Sequence, residues 1–237
     1  MVARTVAVSS VALLVLAGGL SAEDWSQWRG PDRQAVWTEQ GIVDSLPETL
    51  RLTWSTEIRS GYSGPAVADG RIFISDWLED PESRTLDGTE RALALDELTG
   101  EILWTHEWQT SYRMLSISYA VGPRATPTVD GDRVYVVGGT GRLFCFDVEN
   151  GDVLWEKDYV ADYDTSVPVW GIVSGPLVDG DRLITVVGGE PDAGVVAFNK
   201  YTGEEIWRAI EVGSEMGYAQ PVIYEAGGVR KLIVGIP

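Results

Sequence analysis

Five side chains in this sequence have the chemistry of a ligand pocket: Tyr62, Tyr119, Arg124, Trp170 and Tyr218. Aromatic faces beside one guanidinium suit a planar anionic or a sugar-like ligand, because the rings stack on it and the cation pairs with it. They stand at or near a recurring entry into an apolar run: Tyr62-Ser63-Gly64-Pro65, Arg124-Ala125-Thr126-Pro127, residues 172–176 and residues 218–221. The alternative reading is that the same residues plug and brace the place where they gather.

The other reactive residue types are sparse. Cys145 is the single cysteine, so no intramolecular disulfide forms. His106 is the single histidine and lacks a second histidine or cysteine to share a metal or a triad with. Asp69, Asp130, Asp132, Asp179 and Asp181 surround hairpin glycines and lack the spacing of a calcium loop. Turn chemistry accounts for them, and the metal expectation is none. Glu79, Asp80 and Glu82 share a loop that reads as solvated. Nucleotide, triad and zinc motifs do not occur.

The elements that must position these residues are repeated. Residues 125–159 read as four short strands joined by turns at Asp130-Gly131, at Gly138-Gly139-Thr140-Gly141 and at Asn150-Gly151. Asp-Gly and Asn-Gly between apolar runs are hairpin signals, since glycine and asparagine accept positive φ. The unit recurs on both sides. Ala94, Asp96, Thr99, Gly100 and Trp104 align with Cys145, Asp147, Asn150, Gly151 and Trp155, and again with Ala197, Asn199, Thr202, Gly203 and Trp207. Trp54 sits one period further upstream. A period of about fifty residues carrying four strands has the size of a propeller blade.

This A-x-D-x-x-T-G-x-x-x-W pattern resembles the repeat of the pyrroloquinoline-quinone (PQQ) repeat-like β-propeller superfamily, from Trp54 to the end of the chain. The stretch DWSQWRGPDR, residues 24–33, resembles the opening of secreted bacterial members. The resemblance implies an all-β propeller of four-stranded antiparallel blades, seven or eight when complete. It implies that Trp54, Trp104, Trp155 and Trp207 wedge between neighbouring blades, with Gly100, Gly151 and Gly203 as further blade-docking positions. It does not by itself imply bound PQQ. Quinoprotein dehydrogenases of this fold use PQQ with calcium and commonly carry two adjacent cysteines, whereas this chain has Cys145 alone.

The chain has 237 residues and a formal charge of −18. Such acidity disfavours nucleic acid and anionic lipid as partners and suits a solvated surface. Residues 1–22 read as a signal peptide: one charge, Arg4, an apolar run, and Ala22 before the cut. Export to the periplasm or medium follows, with no stable membrane span after cleavage. Residues 23–50 form an N-terminal arm whose Trp25, Trp28 and Trp37 pin it to the propeller side or rim. Residues 51–237 form the partial propeller. In it, residues 51–58 are the outer strand of a last blade and residues 62–108, 125–159 and 174–210 are blades. Residues 219–237 begin another. A complete ring needs roughly 350–400 residues, so the expectation is an open arc belonging to a longer frame.

Strand order places the tight turns on one face and the long loops, residues 78–89, 109–124, 160–172, 190–192 and 211–218, on the other. Long loops on a rigid scaffold are where binding sits. The leading functional expectation is an exported, non-catalytic propeller that binds a protein or small molecule, or scaffolds, through that face. The alternatives are a PQQ- and calcium-dependent quinoprotein dehydrogenase and an extracytoplasmic sensor domain.

Overall fold

The computed structural model describes residues 23–41, 43–118, 121–212 and 216–235. The proposed signal peptide, residues 1–22, and Tyr119 lie outside them. The chain folds into three four-stranded antiparallel sheets and a two-stranded one, each sheet ordered as its strands occur in sequence. The first holds β1 (Ala66–Ala68), β2 (Arg71–Glu79), β3 (Asp87–Asp96) and β4 (Ile102–Ser111). The second holds β5 (Thr128–Asp130), β6 (Arg133–Val137), β7 (Arg142–Asp147) and β8 (Val153–Asp158), followed by the one-turn helix α1 (Tyr159–Tyr163). The third holds β9 (Leu177–Asp179), β10 (Arg182–Gly189), β11 (Ala193–Asn199) and β12 (Glu205–Ala209); β13 (Val222–Ala226) and β14 (Val229–Ile233) make the fourth. β1 lies beside β5 and β5 beside β9, so the short first strands line the inside of an open propeller arc.

The third strands show why the sheets stack. In β7 the run Leu143-Phe144-Cys145-Phe146 is buried without alternation, as is Val195-Val196-Ala197-Phe198 in β11. A strand with unbroken burial has both sheet faces covered, and here neighbouring blades cover them. The core is therefore inter-blade. One cluster joins Phe73, Ala94, Trp104 and Trp108 of the first sheet to Val134, Val136, Phe144 and Phe146 of the second. Another joins Tyr135, Leu143 and Trp155 to Leu183, Val196 and Phe198 of the third.

The repeated turn is built three times from one local device. Asp96 Oδ1 accepts from the amides of Leu98 and Thr99 at 3.0 and 2.8 Å. Asp147 Oδ1 accepts from Glu149 and Asn150 at 2.9 and 3.2 Å, and Asn199 Oδ1 from Tyr201 and Thr202 at the same two distances. The chain then passes through Gly100, Gly151 or Gly203 at φ of 72, 75 and 71°, where a Cβ would be strained.

Three local expectations change. Residues 78–89 are mostly a ribbon, not a loop: β2 and β3 stay paired out to Glu79 and Gly88. The extension is held by Trp77 stacked on Tyr112 at 4.8 Å and by buried Asp76, which takes Arg91 Nε at 2.9 Å and Nη2 at 2.6 Å. Residues 190–192 form a tight turn between β10 and β11, not a long loop. Residues 51–58 belong to no sheet among the described residues, although Trp54 is docked. The first part of the arm, residues 24–33, lies on the inside of the arc, where Trp25 bridges Val67 of β1, and not on the outer side or rim; Trp37 is exposed.

Candidate binding face

The inter-blade loops gather at one end of the arc. Arg124 enters just ahead of β5, and its Nε donates to the hydroxyl of Tyr62 ahead of β1. The guanidinium also lies over the Tyr62 ring, 5.0 Å from its centre. Nη2 donates to the Ser116 carbonyl at 3.1 Å. The Ser116 amide in turn donates to the Val169 carbonyl at 2.7 Å, joining two loops. Arg124 is 7% exposed, and its Nη1 is buried without a hydrogen-bond partner. A Cβ at Gly171 would stand 2.9 Å from that nitrogen, so the loop backbone closes over it. Arg124 is thus a buried support beneath Tyr62, which is 47% exposed.

Of the five expected pocket residues, the structure brings Tyr62 and Arg124 into direct contact. Trp170 is half buried in the loop that covers Arg124, immediately before Gly171. Tyr218 is exposed at the corresponding entry to the fourth sheet. The two loops expose the apolar side chains Met114, Ile117 and Val169, among polar ones such as Arg113 and Ser118. A cleft of about 320 Å³ opens beside them between Gln109, Met114, Leu115, Thr140, Arg142 and Val160.

The tryptophans repeat one contact. Trp54 Nε1 donates to the Glu97 carbonyl at 2.9 Å, Trp104 Nε1 to Val148 at 2.9 Å and Trp155 Nε1 to Lys200 at 3.1 Å. Each indole lies on the glycine turn of the following sheet. A Cβ at Gly151 would come within 2.6 Å of the Trp104 ring, and one at Gly203 within 2.8 Å of the Trp155 ring. Gly100 faces Trp54 in the same way. Trp207 is half buried and packs, as Ile223 and Val234 do, on the cluster of Leu177, Ile184, Val195 and Ala197.

Sequence reasoning missed Glu90. It is wholly buried in β3 where the first two sheets meet. Oε1 accepts from the Tyr112 hydroxyl and from the Gly139 amide at 2.8 Å, and Oε2 from Trp108 Nε1 at 2.8 Å. A carboxylate served by three donors is bound, not idle. Burial pushes its pKa up, and the donors oppose that. The available signal was one acid inside the alternating strand Asp87–Asp96, too weak to single it out.

Cys145, His106, Asp130 and Asp179 are engaged in packing or ion pairs. Burial raises the Cys145 thiol to about 12, which keeps it protonated and unreactive at neutral pH. Partial burial lowers the His106 pKa, and the ring packs 5.2 and 5.0 Å from Phe144 and Phe146. Asp130 pairs with Lys200 at 2.6 Å and Asp179 with Arg230 at 2.7 Å. Among the described residues no three acidic, histidine or cysteine side chains come together to hold a metal ion. No helix there is long and apolar enough to cross a membrane.

PQQ is a planar polyanion that needs exposed cationic donors together with carboxylate or amide oxygens for its calcium. Arg124, the expected cation, has Nε and Nη2 engaged and Nη1 covered. Arg124 therefore offers that group no accessible donor.

The family model described as outer membrane protein assembly factor BamB matches residues 31–116 and 88–228. The outer membrane protein assembly factor BamB of Shewanella oneidensis is 26% identical over 201 residues, 81% of this chain and 45% of the relative. A quinoprotein ethanol dehydrogenase of Pseudomonas aeruginosa is 30% identical over 117 residues, 48% of this chain and 18% of the relative. The crystal structure of a quinohemoprotein alcohol dehydrogenase from Pseudomonas putida superposes with a TM-score of 0.53 at 23% identity. That match covers 79% of this chain and 26% of the other and shows a shared fold. The chain spans less than half the length of each of these relatives.

Proposed function

The chain belongs to the PQQ-repeat β-propeller family described as outer membrane protein assembly factor BamB, and from that premise we propose an exported, non-catalytic propeller that binds polypeptide partners through its inter-blade loop face. The observation that carries this reading is the Tyr62–Arg124 pair with its surround. A half-exposed tyrosine rests on a buried arginine, and Met114, Ile117 and Val169 stand exposed beside it. Tyrosine and arginine in an apolar setting are the residue types that concentrate binding energy at protein interfaces. The relatives named for outer membrane protein assembly make an unfolded outer-membrane β-barrel polypeptide the first partner to test. The envelope is the matching location, reached through the signal peptide of residues 1–22. A small planar or sugar-like ligand on the same aromatic face is the finer alternative.

The relatives named as quinoprotein dehydrogenases favour a second reading, an enzyme using PQQ and calcium. In that reading Arg124, already engaged, would not be the residue that holds the cofactor.

Titration of a labelled, unfolded β-barrel polypeptide, diluted from urea, tests the first reading by fluorescence anisotropy. Saturable binding should weaken about tenfold or more in Tyr62→Ala and Val169→Asp, as expected of residues central to an interface. Leu154→Asp, on the exposed edge of β8, should leave it unchanged. Equal affinities in all variants would remove the loop face from the account. Dye-linked alcohol oxidation after addition of PQQ and calcium would replace it with the second reading.

A further inference from the structure

The stretch DWSQWRGPDR is not used by the loop face. Its residues lie along the inside of the arc and touch every sheet in turn. The Trp25 amide donates to the Val67 carbonyl at 2.8 Å and the Val67 amide returns the bond at 3.0 Å, adding one antiparallel bridge to β1. Ser26 then accepts from the amide of Val129 in β5 at 2.8 Å. A tight turn follows, with Gly30 N–H donating to the Gln27 carbonyl at 2.9 Å. Gly30 has φ of 72°, and a Cβ there would stand 2.7 Å from the Trp25 ring. The turn delivers Arg33, which is 4% exposed, to the next two sheets. Arg33 Nη2 donates to the carbonyl of Pro176 just before β9, and Nη1 to that of Pro221 just before β13 at 2.8 Å. Nε is held by Gln27 Oε1 at 2.8 Å.

We propose that residues 24–33 are an intramolecular clamp that couples the four sheets, with Arg33 as its keystone. Three features distinguish a clamp from an arm that merely packs. The contacts are directional hydrogen bonds to backbone groups in the first two sheets and at the entries to the other two. A guanidinium has donors spread in a rigid plane, so one side chain can hold carbonyls from two sheets at a fixed separation; a lysine ammonium cannot. The segment is also strained. Arg29, Asp32, Arg33 and Ala35 all have φ between 55 and 62°, the left-handed region that non-glycine residues rarely adopt. Such a run persists only where its surroundings over-determine it. Propellers whose sheets touch mainly through side chains open between blades; a strand of backbone bonds across the inner rim opposes that opening. The inference is independent of which partner the loop face takes.

Amide hydrogen exchange on the whole protein tests it. In the unmodified chain the amides of Trp25, Val67 and Val129 should exchange with one common opening free energy, because a clamp releases as a unit. Arg33→Met should speed exchange at Val67 by about tenfold or more, although Val67 belongs to a sheet that Arg33 does not touch, and at Val129, whose neighbour Thr128 shares the Pro176 carbonyl with Arg33. Arg33→Lys should fall between, and Arg51→Met, at an exposed arginine, should match the unmodified chain. Acceleration confined to the segments around residues 175–179 and 220–226 would reduce Arg33 to a local contact and overturn the clamp. If Arg33→Met does not fold, the unmodified chain still decides: unrelated exchange rates at Trp25, Val67 and Val129 would overturn the proposal.

Discussion

Glu90 is the residue on which the contact between the first two sheets turns. It fills the space left by Gly138 and Gly139 and gathers Trp108, Tyr112 and the Gly139 amide around one carboxylate. Its effect on stability has a definite sign. Burial raises the folded-state pKa above the ordinary value of 4.5. The folded state therefore holds the proton more tightly than the unfolded chain. Stability from this group is fullest below 4.5 and is lost as pH rises through the folded value. Glu90→Gln keeps one acceptor oxygen but turns an amide N–H₂ toward a donor. It should cost about 1–3 kcal/mol at pH 5. Because the amide does not titrate, the gap to the unmodified protein should shrink between pH 5 and pH 8. Urea unfolding at both values reads it, and a gap that stays constant would mean that Glu90 does not change protonation across that range.

At this scale legibility was uneven. Tyr62 and Arg124 were legible as candidates because they stand at equivalent places in a repeat, and the structure puts them in contact. Their order was not: which ring lies over which cation, and that Arg124 is covered by Gly171, depends on loops without periodicity. Glu90 and Arg33 were illegible for a common reason. Burial of a charge is decided by partners distant in sequence, here 49 residues away for Gly139 and 188 for Pro221.

Among the elements, the hairpin turn and its tryptophan were the most legible feature, because three copies at one spacing define the same Asx turn, the same positive-φ glycine and the same indole. The contact predicts a matched pair of substitutions. Gly131 has φ of 59° and nothing within 4 Å of a Cβ, while Gly151 has φ of 75° and the Trp104 ring in the way. Gly131→Ala should cost only the conformational term, about 1–2 kcal/mol. Gly151→Ala should cost at least about 1 kcal/mol more, since the indole must shift out of a packed site. Thermal unfolding of the two variants measures the difference, and equal melting temperatures would show that Trp104 does not rest on that turn. The ribbon of β2 and β3 was less legible. Asp80, Pro81 and Glu82 punctuate the sequence as a loop does, while the pairing on either side is fixed by Trp77 on Tyr112 and by Asp76 with Arg91. Neither contact has a sequence period.

On the scale of the molecule, blade order followed from the repeat, but the course of the arm did not. Three tryptophans and few regular spacings suggested a surface strap; the arm instead spends its backbone groups on the inner strands. With the clamp on the inside, the loop end remains as the face that presents exposed apolar side chains around a supported tyrosine. The outer strand edges also carry exposed apolar residues, Leu103, Leu154 and Ile206, at equivalent positions. Leu103 and Leu154 are exposed together with their neighbours Ile102 and Val153, and all lie among charged residues such as Glu101, Glu156 and Glu205, so each apolar patch is small. The two surfaces give the account its most direct test. A photo-crosslinking amino acid placed at Ile117 on the loop face, or at Leu154 on the outer edge, reports in cells whether either surface meets other polypeptides, as the proposed function requires of the first. The account predicts discrete crosslinked polypeptides from position 117 that disappear in the Tyr62→Ala background, and none from position 154. Crosslinks from position 154 alone would contradict it.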